Sequence, residues 1–155
     1  MSQQRITAAP VRKTIHVNAP QARAFEVFTA RFGSWWPKGH HIAAVEMKEA
    51  VIEPRRGGRW YEKGIDGSEC QWGEVLVWEP PSKVVLSWRL NSKFQIDETI
   101  ESEVEVRFIA DGANATRVEL EHRITSTDAE AIRAGVDSPQ GWGGLLALYA
   151  EVAQK

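Results

Sequence analysis

The sequence predicts an α+β fold in two layers, a curved antiparallel sheet packed against one long helix at the end of the chain. Three observations predict it. From Arg59 to Ile124, apolar and polar residues alternate in segments separated by turn residues. The stretch 138–153 places Trp142, Leu145, Leu146, Tyr149 and Val152 at helical spacing instead. The chain also opens with a strand and two short helical segments before the strands begin, an order that suits one sheet covered on one face.

Residues 1–10 read as a flexible tail and residues 11–155 as one domain. Val11, Lys13, Ile15 and Val17 share one face of a strand. Asn18-Ala19-Pro20 then starts a helix, with Asn18 or Ala19 near its cap, Phe25, Phe28 and Phe32 on its buried side, and Gly33 as its stop. Ser34-Trp35-Trp36-Pro37 forms a short second turn. Residues 45–53 are a weak strand, and 54–58 a turn. Strands over 59–63 and 69–78 meet at Asp66-Gly67, a strong hairpin signal. The Glu79-Pro80-Pro81-Ser82 turn leads to a strand over 84–90. After a polar connection over 91–98, 99–109 and 116–124 form a hairpin around Asp111-Gly112. Thr127-Asp128-Ala129-Glu130 opens a short helix ending at Gly135. The terminal helix takes Ser138 as N-cap and Pro139 as its first residue. Gly141, Gly143 and Gly144 each cost roughly 1 kcal/mol against Ala in a helix, so they point to a close backbone approach or a gap near its start.

Composition narrows the function. The 155 residues are 43% hydrophobic with a net charge of −2, so no basic surface suits nucleic acid. No apolar run approaches the ~20 residues of a membrane span. The N-terminus lacks the apolar core of a signal peptide, and the lone Cys70 forms no internal disulfide; a cytoplasmic protein, monomeric or homodimeric, is expected. His40-His41 point apart with no further ligands at useful spacing, so no metal is expected. Gly57-Gly58 and Gly141-Trp142-Gly143-Gly144 lack the residues of phosphate or dinucleotide loops, so no cofactor is expected.

Seven tryptophans are the unusual count, and they suit an aromatic-lined ligand pocket. Pairing Trp60 with Gly73, Glu62 with Gln71, Val75 with Leu86 and Gly73 with Trp88 puts Trp60, Glu62, Gln71, Val75, Val77, Val84, Leu86 and Trp88 on the helix side. His122 joins them from the later hairpin. Tyr61, Cys70, Trp72, Leu76 and Trp78 fall on the other face. A slip of one residue would invert this assignment. Glu62, Gln71 and His122 are then polar residues on an apolar face, each needing a partner or a ligand. Cys70 and His122 fall on opposite faces, against a nucleophile–base pair.

Gly57-Gly58-Arg59-Trp60-Tyr61-Glu62, Asp66-Gly67, Trp72-Gly73-Glu74-Val75-Leu76 and the run from Glu79 to Trp88 carry a resemblance. So do the helix from Pro20 to Phe28, Trp35-Trp36-Pro37, the segment from Thr116 to His122, and Gly141-Trp142. Over roughly residues 11–153 the chain resembles the bacterial proteins named after the activator of the heat-shock-protein-90 ATPase. These belong to the START-like (SRPBCC) group, with polyketide cyclases and birch-pollen-allergen-like proteins. The resemblance implies a helix-grip fold, with the sheet gripping the C-terminal helix around an internal cavity. The group's functions range from carriers of hydrophobic ligands to cyclases and hydrolases.

The expected function is binding of a small hydrophobic or aromatic molecule between sheet and helix. Trp36, Trp60, Trp88 and Trp142 would supply surface, and His41, Glu62, Gln71 and His122 would fix its orientation. One alternative is a cyclase- or hydrolase-type enzyme using Glu62 or His122 as acid or base. Another is a co-chaperone-like module using the Trp72/Trp78 face. The eukaryotic activator's extra N-terminal domain has no room here, which places this last.

Overall fold

The computed structural model describes residues 6–93 and 95–155. Eight strands form one antiparallel sheet: β1 (Ile6–Thr7), β2 (Val11–Val17), β3 (Met47–Ile52), β4 (Arg59–Gly64), β5 (Glu69–Glu79), β6 (Lys83–Ser87), β7 (Glu101–Ala110) and β8 (Thr116–Ser126). Three α-helices accompany it among the described residues: α1 (Gln21–Phe28), α2 (Ala129–Val136) and α3 (Trp142–Ala153). The order across the sheet is β8-β7-β6-β5-β4-β3, and β1 and β2 both pair with β8 along its free edge. All pairings are antiparallel. This is the helix-grip arrangement, α+β as expected.

Of the tail expected over 1–10, residues 1–5 lie outside the described ones. Ile6 and Thr7 pair with Ser126 and Thr125, and Ala8 is buried, so the chain joins the sheet from Ile6 onward. In β2, Val11 and Val17 are buried while Arg12, Thr14 and His16 are exposed, the alternation of a half-buried strand. Helix α1 starts after Pro20 rather than Asn18 and ends at Phe28, earlier than Gly33; Thr29 turns its hydroxyl back onto the Phe25 carbonyl at 2.7 Å. Phe32 and Gly33 belong to a separate 3-10 turn, Phe32–Ser34.

Strand β5 departs from the expected strict alternation at two places. Trp60 does pair with Gly73, but the next pair is Tyr61 with Gln71, which leaves Trp72 as an extra residue. Glu62 therefore faces Cys70, not Gln71. A second irregularity makes Leu76 the extra residue between the pairs Val75–Leu86 and Val77–Val85. Each β-bulge shifts the alternation by one residue. Trp72 and Trp78 consequently lie on the helix side: Trp72 is buried, and Trp78 packs on Phe25 with ring centroids 5.0 Å apart. Gln71 is exposed and bonds only locally, from its Nε2 to the Gly73 carbonyl. Val77 and its partner Val85 leave the main core. Gly73 does not pair with Trp88 in the ladder; it lies against the backbone of Ser87, where an added Cβ would sit 2.0 Å from the carbonyl oxygen.

Helix α3 begins at Trp142 with Gly141 as the cap residue, not at Pro139. Ser138 caps nothing in α3. Its hydroxyl donates to the Gly135 carbonyl at the end of α2, and its own carbonyl accepts from the Gly141 N–H, both at 2.8 Å. Residues 138–141 are thus a tight turn between two helices. The expected close approach is real at two glycines: a Cβ on Gly141 would lie 2.1 Å from the Val136 oxygen, and one on Gly144 2.5 Å from the Pro139 oxygen. Gly143 faces open space. Two contacts seat α3 on α1. The Tyr149 hydroxyl donates to the Ala24 carbonyl at 2.7 Å, and Arg23 donates to the carbonyls of Val152, Ala153 and Lys155 at the helix end.

Candidate functional site

A pocket of about 330 Å³ opens between the sheet, the loop after Trp36 and the α2–α3 turn. That is at the lower end of the ~300–1,000 Å³ usual for small-molecule sites. Its walls are apolar: Trp36, Trp72, Trp88 and Trp142 contribute four indoles, and Leu90, Val136 and Leu145 fill between them. His40, His41 and Gln140 stand among its polar lining residues.

Five tryptophans form a closed circuit of ring contacts, and four of them line this space. Successive ring centroids are 5.4 Å apart for Trp36–Trp72, 5.6 Å for Trp72–Trp60, 5.5 Å for Trp60–Trp88, 5.7 Å for Trp88–Trp142 and 6.3 Å for Trp142–Trp36. The interplanar angles run from 46° to 69°, the tilted and edge-to-face range that indole pairs favour. The elements explain the ring. The chain just past the 3-10 turn presents Trp36, the bulge in β5 turns Trp72 inward, β4 holds Trp60, the chain beyond β6 holds Trp88, and the first residue of α3 is Trp142.

Four of the eight residues expected at a site line the pocket: Trp36, His41, Trp88 and Trp142. The other four do not. Trp60 is fully buried behind Trp72 and Trp88. Gln71 points away from the site. Glu62 and His122 lie just behind the wall and hold it in place.

Glu62 is 1% exposed. Its Oε1 accepts the backbone N–H of Ile42, the N–H of Ala43 at 3.2 Å and the indole N–H of Trp72 at 3.0 Å. One carboxylate oxygen thereby fixes both the mouth loop and a pocket wall. Its Oε2 has no hydrogen-bond partner among the described residues, and neither have the buried indole nitrogens of Trp60 and Trp88. The loop is held further by Trp36, whose Nε1 donates to the His40 carbonyl at 3.0 Å. His41 donates from Nδ1 to the Ala43 carbonyl, and His40 from Nε2 to the Gln140 carbonyl at 3.1 Å, across the mouth.

His122 is fully buried. Trp142 donates its indole N–H to Nδ1 at 3.0 Å, and Nε2 lies 2.7 Å from the Ser102 hydroxyl. Indole can only donate, so Nδ1 is the bare nitrogen and Nε2 carries the proton toward Ser102. Burial, and secondly the charge of Arg123, push the imidazole down to about 3. His122 is therefore a neutral ring engaged at both nitrogens, with none free for proton transfer in the pocket. Cys70, beside Glu62, has its thiol pushed up by burial and then by the Glu62 charge.

Sequence reasoning missed Trp72, because strict alternation put it outside. The signal was the residue type itself: a tryptophan beside an exposed-type glutamine marks which of the two faces the core. It also missed the α2–α3 turn as a wall, although the glycines there announced a close backbone approach. Among the described residues no group of three potential metal ligands occurs, and no helix is long and apolar enough to cross a membrane.

Comparison with known proteins agrees with this architecture. No curated protein sequence matches the chain. Among solved structures, the anthrahydroquino-gamma-pyrone synthase Txn09, complexed with SUM, is 37% identical, with 94% of this chain and 97% of that one covered and a TM-score of 0.62. CalC, a self-sacrificing resistance protein from Micromonospora echinospora, is 34% identical over 93% of each chain, with a TM-score of 0.70. CalU16 from the same organism shares the fold at 21% identity, covering all of this chain and 87% of its own, with a TM-score of 0.60. The family model described as Activator of Hsp90 ATPase homolog 1-like protein matches residues 18–152. With nearly the whole domain matched, the chain belongs to this START-like family.

Proposed function

We propose that the protein binds a small, largely apolar aromatic compound in the pocket between the sheet and α3. The observation that carries this reading is the wall of four indoles, Trp36, Trp72, Trp88 and Trp142, around a space of about 330 Å³. Flat aromatic faces at varied angles bury a planar ligand on several sides with little polar competition. The relative at 37% identity is named as synthase of an anthrahydroquino-gamma-pyrone, a fused-ring compound of the shape such walls suit.

An enzyme using Glu62 or His122 as acid or base has less support, since neither lines the pocket and His122 is bonded at both ring nitrogens. A partner surface built on Trp72 and Trp78 has less still: Trp72 is buried and Trp78 packs against Phe25.

The test is a titration with a hydroxyanthraquinone, followed by tryptophan emission and by the indole N–H resonances. Saturable quenching with shifts at Trp36, Trp88 and Trp142 is expected. Gly39→Trp serves as the blocking variant, because Gly39 lines the pocket and a Cβ there meets nothing within 4 Å. Binding that survives this block, or no saturable response across a panel of polyaromatics, overturns the proposal.

A further inference from the structure

We infer that the ligand of this pocket carries a positively charged nitrogen, held against the indole faces and favoured by the buried carboxylate of Glu62. The inference rests on the pocket reading above and adds the sign of the ligand's charge.

Glu62 is 1% exposed and forms no ion pair among the described residues. Three N–H groups converge on its Oε1, while Oε2 has no hydrogen-bond partner there. A buried charge without a counter-charge is costly.

Glu62 also lies close to the pocket. Two of its three donors, Ile42 and Trp72, are themselves lining residues. The carboxylate is thus bonded directly to two residues of the cavity wall, and in buried protein its charge is weakly screened. The wall itself adds to the preference. The face of an indole carries negative potential, and tryptophan is the best side chain for holding a cation over its ring. Among the described residues no lysine or arginine lines the pocket to oppose this. A neutral aromatic would fill the same space but bring no counter-charge to Glu62.

The experiment compares phenyltrimethylammonium with tert-butylbenzene, which has the same shape and no charge, each measured by competition against the hydroxyanthraquinone. The folded wild-type protein is expected to bind the ammonium about tenfold more tightly, in keeping with one or two cation–π contacts and a nearby anion. Glu62→Gln keeps an oxygen for the N–H donors and is expected to remove most of that preference. Should this variant fail to fold by circular dichroism, Trp36→Leu provides the second measure, weakening the ammonium more than the hydrocarbon. Equal or weaker binding of the ammonium overturns the inference, while binding of the hydrocarbon leaves the pocket reading standing. A preference untouched in folded Glu62→Gln overturns the role of the carboxylate. If neither compound competes, the inference fails, and the pocket reading is decided by the hydroxyanthraquinone titration alone.

Discussion

Trp142 donates its indole N–H to Nδ1 of His122 at 3.0 Å, joining the first residue of α3 to the middle of β8. The bond exists only while Nδ1 is unprotonated, so charging the imidazole means losing it. In an unfolded chain the same imidazole titrates near 6.5, and in the fold it is held down to about 3. Between these values the unfolded state binds the extra proton, so stability rises with pH across the window and is lost as pH falls from about 6.5 toward 3. The expected loss from His122 between pH 7 and pH 5 is about 2 kcal/mol. Urea unfolding of wild type and His122→Gln at both pH values measures it, as the variant lacks this contribution. Equal pH slopes for the two proteins would contradict the assignment.

The three glycines at the start of α3 separate by substitution. Gly141→Ala and Gly144→Ala place a methyl against the backbone oxygens of Val136 and Pro139 and are expected to destabilise by more than about 1 kcal/mol. Gly143→Ala meets nothing within 4 Å and is expected to stabilise by up to about 1 kcal/mol. Thermal midpoints of the three variants should therefore move in opposite directions.

Much of this was legible in the sequence, for physical reasons that also mark where it stopped being so. The hairpin at Asp66-Gly67 sets the Trp60–Gly73 pair, and the alternation of the later hairpin puts His122 inside, where it is. Alternation propagates outward from a turn and fails at the first bulge. In β5 it failed at Trp72 and again at Leu76, so Gln71 and Val77 were assigned inward in place of Trp72 and Trp78. Which N–H groups converge on Glu62 is not legible, because the backbone amides of Ile42 and Ala43 come from a loop far from it in the sequence. The start of α3 is not legible because Ser138-Pro139 satisfies the local rules for a helix cap, whereas the serine hydroxyl serves the preceding helix.

Arg23→Ala is expected to destabilise the protein by about 1–3 kcal/mol. The guanidinium donates to three carbonyls at the C-terminal end of α3, where a positive charge also suits the helix dipole. Chemical denaturation measures the loss, and hydrogen exchange should show it concentrated in the last turn of α3. Arg23→Lys is expected to recover part of it, since one ammonium cannot reach all three oxygens.

Cys70 is expected to react slowly with iodoacetamide at pH 8, more slowly than a cysteine in an unstructured peptide. Burial and the Glu62 charge both hold its thiol above the ordinary range, so little thiolate is present. Glu62→Gln removes the smaller of the two causes and should speed alkylation modestly. A wild-type rate at or above that of the peptide would show that the carboxylate does not act on the thiol.

The ring of five indoles has an optical consequence. Each ring lies within 6.3 Å of the next, and the circuit closes. Excitation absorbed by any one of them passes to its neighbours before it is emitted. Trp35, 5.8 Å from Trp36, joins the same network, so a guest touching one ring is expected to quench emission from the others as well. Emission counts occupied molecules well but says nothing about where in the ring the guest sits. Deleting tryptophans one at a time would reroute the migration rather than isolate a reporter, so position has to be read from a nucleus, such as a fluorine on each indole, and not from light.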